Sequence, residues 1–600
     1  MINHAKRKVL ENMKVFVLDN SLRESTVGQV IGHSFEDKFK ILDETAKCGF
    51  HHQIVGAFST FRRVDDAFCK ELKNESKGKR KYYAFSEVYK TIKGGRMESG
   101  DNNIPIGLKK MKKYGIENAI IEVDVANKSI EWDRSFSMSQ FMDHLTCLLK
   151  WTNDNLPSSS NKRMNFINLR DFPVAMITCP DRVLDIVKNI ANLPLVYRPV
   201  GLLHEEPLGE YFADEVAAWN KSVRETMDKN GWPSLFQKTG DYDGLLLTHV
   251  HKQWGLADGV VLDVLASGAD GIWSSVAEEG AAMGHACSCV TLANLARLGN
   301  KDVLKRYETK YLAKAAKAVT KLTTKKEVAN RQIVYGPRAI EAVFGFSGIA
   351  GGTHDPTFDA NGDGKIDGLD HFSLAEFLGA GEPPIRITTL SSPKLVVERL
   401  NQCFGDNPEF TEEMGQKMLN FMEQELIDNQ VCEHTSPMGI AVLWQNITGT
   451  LLPEMDEIVQ KVKAKKGTHV RILEEAKDCF FNFVETGENS MDFLAFYEAY
   501  LKPYFGCFSC PRTRFVLGAI DLDGDNNVTW EEWRFWCLWA LHQYSDEIIG
   551  IEDLNHVVLR NAILPLGLSK TSNPPKKLDD ILSRRMLLES SKAQNLFHIN

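Results

Sequence analysis

The sequence predicts a (β/α)8 TIM barrel of the α/β class followed by an all-α domain, and three observations carry that prediction. Eight short apolar runs alternate with longer amphipathic stretches between residues 14 and 300. The runs are continuous rather than alternating, as parallel strands covered on both faces require. From about residue 393 the apolar spacing becomes helical, broken by short polar loops. Six hundred residues exceed what one core holds, so two or three domains are expected.

In chain order the runs are KVFVLD (14–19), HHQIVGAF (51–58), the weaker KYYAF (81–85), NAIIEVDVA (118–126), MNFINL (164–169), LVYRPVGLL (195–203), GLLLTHVH (244–251) and GIWSSV (271–276). Stretches such as DRVLDIVKNIAN (181–192) suit the crossovers between them. Eight βα units fit a closed barrel. A doubly wound sheet is the alternative, but no glycine-rich phosphate loop follows the first run. The barrel is placed at 10–300, with a post-barrel helical segment at 301–355. A single loop with its exit helix is placed at 356–380, a helix-loop-helix domain at 390–545 and a tail at 546–600.

The hydrophobic share is 43% and the charged share 25%, ordinary for a globular chain. The net charge of −9 argues against a nucleic-acid binder, which would carry a basic face. No apolar run marks a secretory leader or a membrane span. The 12 cysteines are scattered, and Cys507/Cys510 is a lone C-x-x-C. They read as reduced thiols of a cytoplasmic protein.

Two acidic loops carry calcium chemistry. DLDGDNNVTWEE offers Asp521, Asp523 and Asp525 at positions one, three and five, and Asn527 at seven through its carbonyl. Thr529 stands at nine and Glu532 at twelve, where a bidentate carboxylate closes the shell of a hard cation that takes about six to eight oxygens. Asn526 replaces the usual glycine at position six, and asparagine tolerates the left-handed backbone better than most residues. Val528 is placed to pair with a partner loop, expected at Glu485–Asp492, which lacks the carboxylate spacing and reads as a structural hand. The earlier loop, DANGDGKIDGLD, offers Asp359, Asn361, Asp363, Lys365, Asp367 and Asp370. Its last carboxylate is one methylene short, and Pro356 with the preceding glycines breaks any entering helix. Helices within 410–447 are read as a further degenerate hand.

Three fragments of the barrel converge in chemistry. DNSLRES (19–25) leaves the first strand, HVH (249–251) ends the seventh, and EEGAAMGH (278–285) follows the eighth. Strands one, seven and eight adjoin in a barrel, and their C-terminal ends form the active-site face. His249 and His251, two apart, share one face of a strand.

Asp19-Asn20-Ser21-Leu22-Arg23-Glu24 resembles the first-strand motif of the DRE-TIM metallolyases, the family of HMG-CoA lyase, isopropylmalate synthase and homocitrate synthase. The resemblance spans roughly residues 10–350. It implies Glu24, His249 and His251 as ligands of a divalent metal, with His285 standing where the family has asparagine. It implies Arg23 as the group that polarises the substrate oxygen. Such a donor set suits zinc, iron, manganese or cobalt. Proton-transfer candidates are Asp171, Glu205 and Glu206 at strand ends. Three departures stand out: Ser25 follows the motif in place of glycine, Ala281-Ala282 occupies the reactive-cysteine loop, and Ala350 replaces a histidine after the barrel.

The expected function is a calcium-binding, calcium-regulated, metal-dependent carbon–carbon lyase or synthase. Its substrate would be a 2-oxo acid, a hydroxy acid or an acyl-CoA, and its assembly a homodimer, without nucleic-acid or membrane partners. Two alternatives are a calcium sensor or buffer built on a retired barrel, and an iron oxygenase using three histidines.

Overall fold

The computed structural model describes residues 4–28, 32–58, 64–74, 79–88, 104–126, 137–157, 164–281, 283–343, 373–381, 383–429, 433–434, 436–484, 488–503, 507–509, 511–543, 548 and 550–562. The chain divides into two compact units. One comprises Met1–Gln402 with Glu409–Glu433, the other Cys403–Pro408 with His434–Asn600.

In the first unit each apolar run delivers a strand. These are β1 (Phe16–Asp19), β2 (His52–Phe58), β3 (Lys81–Glu87), β4 (Asn118–Asp124), β5 (Phe166–Arg170), β6 (Gly201–Glu206), β7 (Leu245–Val250) and β8 (Gly271–Ser274). They close into a barrel in sequence order, with β1 parallel to both β2 and β8. The run expected at 195–203 is displaced: β6 begins at Gly201. Leu195 and Val196 are solvent-exposed, and Pro194 and Pro199 keep that stretch out of a ladder. Gly271 marks the seam of closure. A Cβ there would lie 1.9 Å from the carbonyl oxygen of Phe16, so β1 and β8 approach only because that atom is missing.

Side chains alternate across each strand. Phe16, Phe85, Phe166, Leu203, Leu247 and Trp273 fill the barrel interior. Val17, Ala84, Ile167, Leu202 and Leu246 face the outer layer of helices. Full burial of one such leucine or phenylalanine contributes roughly 1.5–3 kcal/mol. The same parity turns Glu122, Asn168, Arg170, Glu205 and His249 inward. It turns His204 and Glu206 outward, where His204 Nε2 meets Asn220 Oδ1 at 3.0 Å.

The barrel is followed by helices at Lys301–Arg306 and Leu312–Thr324, and by a short strand, Ala342–Val343, parallel to Ile385–Thr388. The loop read at 359–370 lies outside the described residues. Of its exit helix, one turn is described, Leu374–Phe377.

In the second unit the long helix Pro453–Phe481 precedes a strand, Ser490–Asp492. Helix Pro511–Ile520, strand Asn527–Thr529 and helix Trp530–Gln543 follow. The two strands are antiparallel, with Met491 opposite Val528. Phe480, Phe496, Val528 and Trp533 are buried in one core. Residues 551–562, read as tail, form a helix whose Leu554, Val557 and Val558 join that core. No described helix is long and apolar enough to cross a membrane.

Candidate functional site

β1 ends in Asp19, and the helix Ser21–Gly28 starts at once, which puts Arg23 and Glu24 in its first turn at the barrel mouth. β7 delivers His249. The segment after β8 folds back so that His285 bridges to His251 in antiparallel fashion. His249 Nε2 lies 3.2 Å from His251 Nε2, and the rings of His249 and His285 are centred 4.9 Å apart. Gly280 has Glu24 and His285 on one side together. A Cβ built there would stand 2.9 Å from Glu24 Oε2 and 3.0 Å from His285 Nε2.

The imidazoles are held from behind. His249 Nδ1 is 2.8 Å from the carbonyl oxygen of Trp273, and that indole stacks on the His249 ring at 4.3 Å. His285 Nδ1 is 3.0 Å from the carbonyl oxygen of Ala286. With each Nδ1 donating to a carbonyl, each Nε2 keeps its lone pair, the orientation that metal-ligating histidines adopt. His285 Nε2 is buried and has no hydrogen-bond partner. Burial would raise the Glu24 carboxyl, but Arg23 and the three histidines outweigh it and hold it down at about 2. Burial pushes His251 down to about 4 and His249 further, so both rings are neutral donors. These features fit a divalent transition ion. The four groups nevertheless stand more openly than a filled shell. Among the described residues, the one group of three whose ligand atoms all lie within 4.8 Å of one another is Asp521, Asp523 and Asp525.

Arg23 is ion-paired with Glu24 and lies over the Phe85 ring at 5.3 Å. Burial alone would lower its pKa, but Glu24, Glu122 and Glu205 raise it above the usual guanidinium value. Glu205 faces the same space. Burial and the neighbouring Glu122 push its carboxyl up to about 7, against the pull of Arg23 and Arg170. A carboxyl poised there exchanges protons near neutrality. The other two proton-transfer candidates are not brought to this space. Glu206 lies on the outward face of β6 and accepts from the backbone N–H of Leu208 at 3.0 Å. Asp171 follows β5 in a left-handed conformation, φ 53°, with its side chain exposed.

In the second unit the loop from Asp521 is wound as its spacing requires. Asp521 accepts from the N–H groups of Gly524 (2.7 Å) and Asn526 (3.0 Å), and Asp525 accepts from Asn527 N–H at 2.7 Å. Glu532 reaches back to Thr529, accepting from its N–H and its hydroxyl, each at 2.8 Å. Asn526 has φ 65°, the left-handed backbone expected of position six.

The EF hand family model matches residues 516–538. That segment is an EF hand. Its flanking helices, Pro511–Ile520 and Trp530–Gln543, and its strand pairing with Ser490–Asp492 give it the paired form of such loops. No curated relative matches the chain. Among solved structures the chain is similar to hydroxymethylglutaryl-CoA lyase from Pseudomonas aeruginosa, at 13% identity over 53% of this chain and 96% of that one, TM-score 0.40. It is similar to an HMG-CoA lyase from Acinetobacter baumannii in complex with coenzyme A and 3-methylmalate, at 12% identity over 54% and 93%, TM-score 0.38. It is also similar to the carboxyl transferase domain of Rhizobium etli pyruvate carboxylase with pyruvate and biocytin, at 12% identity over 71% and 62%, TM-score 0.34. Likeness at this level carries no argument about activity, which must come from the site itself.

Sequence reasoning missed several residues here. Asn20 donates its side-chain N–H to Glu24 Oε1 at 2.8 Å. Gly280 leaves room beside two candidate ligands, and Trp273 backs His249. Glu122 and Asn168 stand inward from within apolar runs, and strict alternation with Ile120 and Phe166 was the available signal.

Proposed function

We propose that the chain is a divalent-metal-dependent carbon–carbon lyase or synthase acting on a small carboxylate-bearing substrate, joined to a calcium-binding EF hand. The observation that carries this reading is the pair of carbonyl-anchored imidazoles, His249 and His285, whose Nε2 lone pairs gather with His251 beside an ionised Glu24, that of His285 having no hydrogen-bond partner. Glu24, His249, His251 and His285 would hold the metal, which when bound supplies Lewis-acid polarisation of a substrate oxygen. Arg23 stabilises negative charge developing on that oxygen, preorganised by its pairing with Glu24 and its seat on Phe85. Glu205 moves the proton that a cleavage or condensation requires. Trp273, Phe85 and Leu203 exclude water beneath it.

The test is metal analysis of the purified full chain together with His249→Ala and His285→Ala. Retention of one equivalent of zinc, manganese, iron or cobalt by the wild type, and its loss in both variants, supports the reading. An unchanged metal content in the variants ends it.

Calcium is proposed to bind at Asp521, Asp523, Asp525, Asn527, Thr529 and Glu532, and to regulate turnover. Equal rates with and without a calcium chelator would remove the regulation while leaving the binding. A cytoplasmic location agrees with the buried free thiols of Cys48, Cys69, Cys287, Cys289 and Cys537. A homodimer belongs to the same proposal, and sedimentation measures it.

A further inference from the structure

Tyr335 stands on a strained turn. Its backbone N–H donates to the carbonyl oxygen of Ile333 at 2.8 Å, with Val334 between them at φ 65°. A bond across two residues around a positive-φ centre is the rare, strained form of the γ-turn, and a β-branched residue is ill suited to it. Gly336 N–H then donates to the carbonyl oxygen of Gln332 at 3.0 Å, and a Cβ on Gly336 would collide with that same oxygen. Strain of this kind persists only where the surroundings hold it, and it gathers where function needs a side chain in one place. Here the turn sets the buried Tyr335 ring so that its hydroxyl accepts from the backbone N–H of Glu278 at 3.1 Å.

Glu278 is bonded on three sides. Its N–H meets Tyr335, its carbonyl oxygen accepts from the N–H of His285 at 3.2 Å, and its carboxylate pairs with Lys252 Nζ at 2.6 Å. Lys252 follows His251 directly. Its N–H donates to the carbonyl oxygen of Gly284 at 2.9 Å, and Ala286 N–H donates to that of Val250 at 3.0 Å. These two bonds flank the bridge of His251 to His285. Gly284, at φ 84°, lets the turn close, since a Cβ there would collide with the Glu278 carbonyl oxygen. The side chains of the Lys252–Glu278 pair are 23% and 15% exposed, so water screens it less than a surface pair. The pair joins two segments that the backbone already joins. Its loss would leave the fold in place and loosen the spacing of the two imidazoles.

We infer that Glu278 is a positioning residue of the proposed metal centre: held by Tyr335 and paired with Lys252, it fixes His285 opposite His251. The inference rests on the metal-centre reading and adds to it three residues that bear no ligand atom.

Glu278→Gln keeps the shape of the side chain and removes its charge, and Tyr335→Phe removes one hydroxyl. Each should weaken Co2+ binding to the full-length protein by about tenfold or more, as loss of a group that orients a ligand does. Competition with a chromophoric chelator reads the affinity, and the visible absorption of the Co2+-loaded protein should shift in each variant. Both are read well below melting, where a purely structural contribution would leave them unchanged. Lys252→Glu combined with Glu278→Lys should restore affinity and spectrum. If Glu278→Gln fails to fold, Lys252→Met removes the same pair. Wild-type affinity and spectrum in the single variants, whether or not melting falls, overturn the inference, as does a loss that the reversed pair fails to restore. A wild type that binds no Co2+ ends the metal-centre reading itself, and this inference falls with it.

Discussion

A methyl at residue 280 would press on Glu24 and His285 at once, so one of those side chains would have to shift. Gly280→Ala should therefore lower transition-metal affinity by about tenfold or more, roughly 1.4 kcal/mol, with little change in melting. Metal titration against a chromophoric chelator reads the affinity, and an unchanged value would show that the two side chains yield freely. Glu532 gathers Leu522, Asp523 and Thr529 around the last position of the EF hand. Glu532→Gln should weaken calcium binding by about tenfold or more, because the closing bidentate carboxylate is lost. Calorimetric titration checks it. His52 offers a pH prediction. Burial against Phe16 and Tyr242 pushes its pKa down from 6.5 to about 3, and Nδ1 meets Tyr83 Oη at 2.8 Å. The folded state refuses a proton that the unfolded chain accepts, so this contribution is complete above pH 6.5 and is lost as pH falls toward 3. At pH 5 the loss is about 2 kcal/mol. Urea unfolding of wild type and His52→Gln at pH 5 and pH 7.5 should show the smaller pH difference in the variant.

Elements were legible where burial is symmetric. Strands covered on both sides read as unbroken apolar runs, and all eight were found that way, including the weak KYYAF at β3. β6 was misplaced because Leu195 and Val196 are apolar yet exposed, so the run began before the strand did. That shift decided the acid residues. A strand end uncertain by one position exchanges the inward and outward faces, and Glu205 and Glu206 could not be separated until the ladder with β7 was known. His249 and His251 escaped this ambiguity because residues two apart share a face whatever the register. The strand pair Ser490–Asp492 with Asn527–Thr529 was foreseen from Val528 standing at loop position eight. Within that loop Asn526 holds φ 65° at a conformational cost that glycine avoids. Asn526→Gly should thus alter the stability of the second unit by less than about 1 kcal/mol in either direction, since relief of strain opposes the added freedom of the unfolded chain. A larger loss, seen by chemical unfolding without calcium, would give the asparagine side chain a role of its own.

At the scale of the whole chain, two compact units with different ion chemistry predict two separable unfolding transitions. Calcium should raise chiefly the transition of the unit that contains Asp521, and manganese or zinc chiefly that of the barrel. At a free ion concentration of about one hundred times Kd the stabilisation is ~2.7 kcal/mol. Differential scanning calorimetry with each ion alone decides it, and a single transition moved equally by both ions would contradict two separable units. The seam at Gly271 has a consequence for biogenesis. Glu24 is made more than two hundred residues before His249 and His285, and the meeting of β1 with β8 joins them. A nascent chain stalled before residue 285 lacks one of the four side chains proposed to hold the metal. Loading with the proposed transition ion should therefore come late in synthesis, and ion uptake by ribosome-bound chains of increasing length would date the moment at which the barrel shuts.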